Sequence, residues 1–218
     1  MEDIITNFID YIKEEYNLLN NNKINNCSNI RRYTMPIMAG NVENGIAILL
    51  NNILKKKKYN YLIDPQLSIG KRQVIRPDII IYDNNFEIHG IIEVKSQLGY
   101  SEIDKTEYKK RIKKIKDAAK KAKLKVNKAF TDNQEDKPTY FSVSQTCKDC
   151  IIILMNANDH GKTEEIEKIK DINYFLLFKG EKNEELWYDT LSEKFINKDK
   201  RGFKDLVDFI EKLEDHTM

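Results

Sequence analysis

The sequence predicts an α/β protein with a mixed central sheet flanked by helices on both faces. Short runs rich in Ile, Val and aromatic residues alternate with longer segments whose apolar residues recur at helical spacing. The 218 residues, of which 40% are hydrophobic and 33% charged, suit one soluble domain. We therefore expect a single domain over 1–218, with a core at 40–180 between an N-terminal helix and extension (1–39) and a C-terminal extension (181–218).

The first half of the chain predicts two helices and then three strands. Residues 2–19 carry an apolar stripe, and 41–56 form a second helix with Asn41 as N-cap and Glu43 in its first turn. The strand-like runs at 61–69, 73–83 and 86–97 are separated by turn residues and can form a meander.

The second half alternates helices and strands. A long helix is expected over 101–126 because apolar residues recur there at alternating steps of four and three, while most other positions are Lys or Arg. A buried strand at 150–156, a helix at 163–171, a strand at 173–179, a short strand at 186–191 and a closing helix at 202–213 complete the prediction.

The composition also bounds where the protein works. The first residues carry acids where a signal peptide needs positive charge, and no apolar run approaches the roughly 20 residues that span a bilayer. Three cysteines make an odd count without a disulfide framework. A cytoplasmic protein without a membrane partner is the expectation. The net charge of +2 averages a basic middle and acidic segments, which suggests a polyanionic partner for one surface.

Strand alternation tests whether three charged residues in the predicted meander converge. If Asn84-Asn85 is a two-residue hairpin turn, Asp78 stands opposite Ile91 and diagonal to Glu93. Lys95 shares the face of Glu93, and the two acids would be about 7–8 Å apart. Such a pair suits a magnesium ion, and the ammonium group can orient water and stabilise a phosphorane-like transition state.

Pro77-Asp78 followed by Glu93-Val94-Lys95, with an acid on the preceding helix, resembles the PD-(D/E)XK nuclease superfamily. The resemblance covers residues 40–180 and implies a restriction-endonuclease-like core. It also implies a Mg²⁺ cofactor, for which Mn²⁺ substitutes, held by Asp78, Glu93 and the carbonyl of Val94, with Glu43 as a further acid. Lys95 would serve the attacking water, and Gln97 resembles an extra polar residue that some members carry.

The function expected from this resemblance is metal-dependent hydrolysis of DNA by a restriction or genome-defence endonuclease. A Holliday junction resolvase or repair nuclease is the alternative enzyme, and a catalytically silent DNA-binding subunit is the alternative from another class. Four lysines of the long helix are expected to contact phosphates: Lys109, Lys113, Lys116 and Lys120. A homodimer is expected because two strands must be cut.

Three other patterns receive structural interpretations. Cys147 and Cys150 have metal-ligand spacing, but a zinc site normally needs four ligands and no second Cys pair exists. The segment 160–163 resembles a phosphate-binding loop, yet Asn156 stands where its first glycine is needed, so Thr163 is interpreted as a helix cap. His89 is interpreted as an ordinary strand residue.

Overall fold

The computed structural model describes residues 2–26, 36–55, 59–69, 73–98, 104–121, 124–126, 139–156, 171–178 and 201–213. Its helices are α1 (Glu2–Asn26), α2 (Pro36–Ile53), α3 (Lys105–Lys120) and α4 (Arg201–Glu211). Its strands are β1 (Asn60–Ile63), β2 (Leu67–Ile69), β3 (Gln73–Ile75), β4 (Ile79–Tyr82), β5 (Glu87–Leu98), β6 (Leu124–Val126), β7 (Thr139–Tyr140), β8 (Ser142–Asn156) and β9 (Tyr174–Phe178).

The strands of the described residues form two sheets. The larger has five strands in the order β1-β4-β5-β8-β9, with β1, β4 and β5 antiparallel and β5, β8 and β9 parallel. The smaller has four antiparallel strands in the order β3-β2-β6-β7. The mixed α/β class predicted from the sequence is therefore confirmed.

Helices cover both faces of the larger sheet. On one face, here called the α2 face, α1, α2 and α4 pack against alternate sheet residues such as Ile79, Ile92 and Ile152. On the other, the α3 face, α3 packs against the residues between them, such as Ile80, Ile91 and Ile151. The central parts of β5 and β8 are therefore packed on both faces, as in Ile91, Ile92, Ile151 and Ile152. A charged residue at this depth of the sheet is unusual.

Two of the predicted strands are each divided by a proline. The run 61–69 becomes β1 and β2 on either side of Pro65, and 73–83 becomes β3 and β4 on either side of Pro77. Proline cannot donate to the ladder, and each break sends the chain from one sheet to the other. The simple three-strand meander was therefore wrong, although β1, β4 and β5 do form an antiparallel unit within the larger sheet.

The predicted bounds of α2 and α3 were also wrong. α2 begins at Pro36, so Asn41 is not its N-cap and instead donates a hydrogen bond to Glu15 at 2.8 Å. α3 is shorter than predicted because Asp104 caps it at the N-terminus, and Val126 lies in β6. Val126 packs on the α3 face from β6. Its spacing matched the apolar stripe of the predicted helix, but the residue does not belong to that helix.

The remaining elements follow the prediction where the structure describes them. β9 and α4 lie at the expected positions, α1 continues to Asn26 beyond the predicted 2–19, and β8 extends the expected strand towards its N-terminus. Most of the helix at 163–171, its cap Thr163 and the strand at 186–191 lie outside the described residues. None of the described helices is both long enough and apolar enough to cross a membrane.

Candidate active site

The β4–β5 hairpin sets the positions of the charged residues. Asp83 and Glu87 close a three-residue loop, in which Phe86 takes a positive φ of 59° and donates its amide hydrogen to the carbonyl of Asp83. A β-bulge follows, because Ile81 pairs with Gly90 whereas Tyr82 pairs with Ile88, which leaves His89 as an extra residue on β5. The predicted two-residue turn was therefore wrong.

The loop and the bulge each shift the register by one residue. One shift alone would move Glu93 and Lys95 to the opposite face of β5, because side chains alternate along a strand. The loop and the bulge together return Glu93 and Lys95 to the face of Asp78. Ile79 pairs with Ile92, and continuing that register by one residue places Asp78 beside Glu93 rather than beside Ile91. The predicted register was wrong by two residues, and the shared face of the three residues survives.

Asp78 is fixed at the start of β4 by two backbone contacts. Its Oδ2 accepts a hydrogen bond of 2.6 Å from the amide of Val94, and its carbonyl accepts one of 2.7 Å from the amide of Asp64. Asp64 has a positive φ of 47°. The contact to Val94 ties the Asp78 carboxylate to the strand that carries Glu93 and Lys95.

Glu93 is the centre of the charged group. It is only 7% exposed, and its two oxygens are paired with Lys95 at 3.2 Å and with Arg111 of α3 at 2.6 Å. Sequence reasoning missed Arg111, although its position next to the buried Tyr108 and Ile112 indicated a side chain turned towards the sheet. A buried carboxylate held by two cations is positioned more rigidly than one on a wet edge strand.

Further acids surround this centre. Burial first, and then the charge of Glu93, raise the pKa of Asp78 to about 6 despite the hydrogen bond from Val94. Burial first, and then the charges of Asp78, Asp64 and Glu93, raise the pKa of Glu43 to about 7. Asp64 is thus a fourth acid of the group, missed in the sequence because residues 61–69 were interpreted as one continuous strand. Carboxyl groups whose pKa is raised by burial and by neighbouring acids are typical of functional sites.

The donor set fits a divalent cation. The four carboxylates of Glu43, Asp64, Asp78 and Glu93 face two cations, Lys95 and Arg111, which leaves an excess of two negative charges when all are ionised. Hard carboxylate oxygens are what Mg²⁺ prefers, and one or two of them suffice. No three of these acids have ligand atoms all within 4.8 Å; among the described residues that spacing occurs at the turn of the β4–β5 hairpin.

The excess of acids should make the free energy of unfolding depend on pH when no metal is bound. In EDTA, the free energy of unfolding should fall as pH rises from about 4 to 7, because the raised pKa of Asp78 and Glu43 means that the folded chain binds more protons than the unfolded chain there. Above pH 7, Asp78→Asn should increase that free energy by about 1–2 kcal/mol, allowing for solvent screening. Urea unfolding across this pH range measures both effects.

The exposed Asp208 of α4 provides the control for this measurement. Asp208→Asn changes the same functional group away from the acids and should leave the pH dependence as in the unaltered protein. If Asp78→Asn destabilised the protein in EDTA at pH 8, the acids would not be repelling one another.

A groove opens from the charged group along α3. A cavity of about 190 Å³ is lined by Glu93, Lys95 and Arg111, among others, and adjoins a second of about 570 Å³ through Asp104, Glu107 and Arg111. The second lies between α3 and β3, and its cationic residues are Arg76, Lys110, Arg111 and Lys114. Both together form a trough long enough for several atoms of a polyanion beyond the acids.

The lysines singled out from the sequence do not line this groove. Lys116 is half-buried and pairs with Asp149 at 2.7 Å, and Lys109 lies 3.7 Å from Asp171. Lys113 and Lys120 are exposed on other sides of α3. Gln97 lies in β5, but its side chain is outside the described part of the chain.

No family model, curated protein or solved structure matches the chain. Its function is therefore inferred from the geometry of the charged group and the groove, and from the resemblance of its motif.

Proposed function

We propose that the chain is a Mg²⁺-dependent deoxyribonuclease with a restriction-endonuclease-like core. The observation that carries the proposal is the convergence of Asp78 with Glu93 and Lys95, which line the smaller cavity at the inner end of the groove. The larger cavity carries the cations Arg76, Lys110, Arg111 and Lys114. The order of elements supports it, since α2, the antiparallel β1, β4 and β5, then α3 and the parallel β8 follow the helix-strand-strand-strand-helix-strand order of the superfamily that the motif resembles.

Asp78 and Glu93 would hold the metal, together with the carbonyl of Val94, and Glu43 would complete the acidic wall. The Val94 amide points towards Asp78, and a strand residue directs its N–H and C=O to the same neighbour, so its carbonyl lies on the side of the acids. A bound Mg²⁺ would supply Lewis-acid polarisation of the phosphate and a more acidic water.

Lys95 and Arg111 supply the fixed positive charge. Both are anchored on Glu93, so their direction is set before the substrate arrives and little reorganisation is needed when charge develops on the phosphate. Lys95 can orient the attacking water, whereas the planar guanidinium of Arg111 can hold a phosphate oxygen in the groove that it lines.

The smaller sheet favours an endonuclease that reads its target, of the restriction or genome-defence type. β3 and the residue that follows it place Gln73, Val74 and Arg76 along the groove opposite α3. Gln and Arg can bind the edges of adenine and guanine bidentately in the major groove. A nuclease specific for branched DNA needs no such base contacts, so the side chains of β3 weigh towards sequence recognition.

The direct test is cleavage of plasmid, linear and branched DNA by the purified chain, with Mg²⁺ or Mn²⁺ against EDTA, followed by mapping of the ends. The proposal predicts discrete fragments with 5′-phosphates in either metal and none in EDTA. Cleavage confined to branched DNA would favour a resolvase. Metal-independent binding without cleavage of any substrate would favour the silent subunit.

The groove assignment has its own test, because two lysine pairs on α3 carry equal charge on different surfaces. Lys110→Glu with Lys114→Glu should weaken DNA binding and lower the slope of log affinity against log salt by roughly 0.9 for each lost phosphate contact. Lys113→Glu with Lys120→Glu makes the same change in net charge outside the groove and should alter the slope less. Binding titrations from 50 to 200 mM salt, about the range in which such contacts matter, measure both; a larger loss in the second pair would exclude the groove.

A further inference from the structure

A second group of metal-ligating side chains lies at the turn of the β4–β5 hairpin, here called the hairpin cluster: Asp83, Glu87 and His89. One ligand atom from each residue lies within 4.8 Å of the other two. The cluster is on the α2 face, opposite to the side from which Glu93 meets α3, because Ile88 packs on the α3 face and the bulge follows it. It is therefore separate from the candidate active site.

His89 has an unsatisfied ring nitrogen. The residue is 6% exposed, and its buried Nε2 has no hydrogen-bond partner among the described residues. That nitrogen lies 3.4 Å from Asp83 Oδ2 and 3.9 Å from Glu87 Oε2. The ring of Tyr59 lies beside the imidazole, with a centroid distance of 5.3 Å, and restricts its rotation. An orphaned buried nitrogen aimed at two carboxylates needs an explanation, and a shared cation provides one.

Asp83 is prepared as a ligand by the turn. Its Oδ1 accepts hydrogen bonds of 2.9 Å from the amides of both Asn85 and Glu87, which leaves Oδ2 turned towards His89. Outer hydrogen bonds that orient a ligating carboxylate in this way are typical of metal sites.

The spacing suits zinc. Bonds of about 2.0–2.2 Å to nitrogen and oxygen in a tetrahedron imply ligand-to-ligand distances of roughly 3.3–3.6 Å. The distance of 3.4 Å from His89 Nε2 to Asp83 Oδ2 lies within this range, and the 3.9 Å to Glu87 Oε2 exceeds it only slightly. A site with one imidazole and two carboxylates suits divalent transition metals better than it suits Mg²⁺. Three protein ligands leave the fourth tetrahedral position for water.

We propose that the hairpin cluster binds one Zn²⁺ ion. The ion ties the turn residue Asp83 to the bulge residue His89, and so fixes the local geometry that determines which face of β5 carries Glu93 and Lys95. The proposal does not require the chain to be a nuclease.

The two cysteines are the competing zinc ligands and are poorly suited. Cys150 is buried on the α2 face, whereas Cys147 packs on the α3 face, so their side chains lie on opposite faces of β8 and do not converge on one ion. The hairpin cluster instead brings three ligand atoms together on one face.

The experiment counts zinc in an Asp78→Asn/Glu93→Gln background, which removes the acids of the candidate active site. Titration of the metal-free protein with Zn²⁺ against a chromogenic chelator should show one tight equivalent. Adding Glu87→Gln or Asp83→Asn should weaken it at least about 10-fold, since lost ligands cost no less than lost outer-shell partners. Asp83→Asn keeps an Oδ1 for the turn, and Asp208→Asn on α4 should change nothing.

Thermal unfolding provides the second measurement and guards against misfolding. Zn²⁺ should raise the melting temperature of the background protein, because it binds only the folded chain. The Glu87→Gln variant should melt cooperatively without zinc and gain much less from it. Absence of a bound equivalent, or an affinity that neither Glu87→Gln nor Asp83→Asn reduces, would overturn the proposal. Cleavage activity plays no part in these readouts, so the nuclease assignment stands or fails separately.

Discussion

Asp78→Asn and Glu93→Gln should each reduce Mg²⁺-dependent DNA cleavage by about a thousand-fold or more. Each removes a charged oxygen ligand of the proposed metal, and the metal contributes several kcal/mol to stabilising the transition state. The amide in Asp78→Asn can still accept the hydrogen bond from Val94, so the strand register should persist. Single-turnover cleavage at saturating protein measures the loss.

Asp104 provides a matched control for these variants. It lines both cavities of the groove, yet its carboxylate caps α3 by accepting from the amides of Thr106 and Glu107 at 2.9 and 3.0 Å. An Asn at this position can still cap the helix. Asp104→Asn should therefore cleave within a few-fold of the unaltered protein. A loss as large as that of Asp78→Asn would mean that the acids act through the general charge of the groove.

The periodicity of the sequence was enough to place β4 and β5 but not their register. Side chains of a strand alternate between its two faces, so a register error of an even number of residues leaves each side chain on the same face. Asp78 and Glu93 are therefore predicted on one face even though the register was wrong by two residues. The actual shift arises from Phe86 in a positive-φ position that normally favours glycine, and from a bulge at His89. Phe does not predict a positive φ, and His does not predict a β-bulge, so the sequence did not indicate either feature.

Residues that act from neighbouring elements were the ones missed. Arg111 is one of many cations on a basic helix, and only the packing of α3 against β8 distinguishes it from Lys110 or Lys113. Asp64 reaches the acids through its positive φ after β1, which a strand pattern does not show. The motif on one hairpin was visible in the sequence because its residues are local, whereas the rest of the site depends on tertiary contacts.

Lys95→Ala should separate catalysis from binding. Lys95 is held by Glu93 at 3.2 Å, at the inner end of the groove, where it can act on the attacking water and on the developing charge. Loss of one such electrostatic stabiliser typically costs about a hundred-fold to a thousand-fold in rate. The affinity for DNA should fall only a few-fold, because Lys110, Arg111 and Lys114 of the groove remain.

The control for Lys95→Ala is a lysine that contributes to DNA binding alone, whose loss should lower affinity and not rate. Lys110→Ala removes a groove cation away from the acids and should lower affinity while leaving the single-turnover rate of bound DNA nearly unchanged. Affinity is measured in Ca²⁺ and rate in Mg²⁺. If Lys95→Ala lost rate and affinity equally, as a plain phosphate contact would, the chain would be better described as a DNA-binding module than as an enzyme.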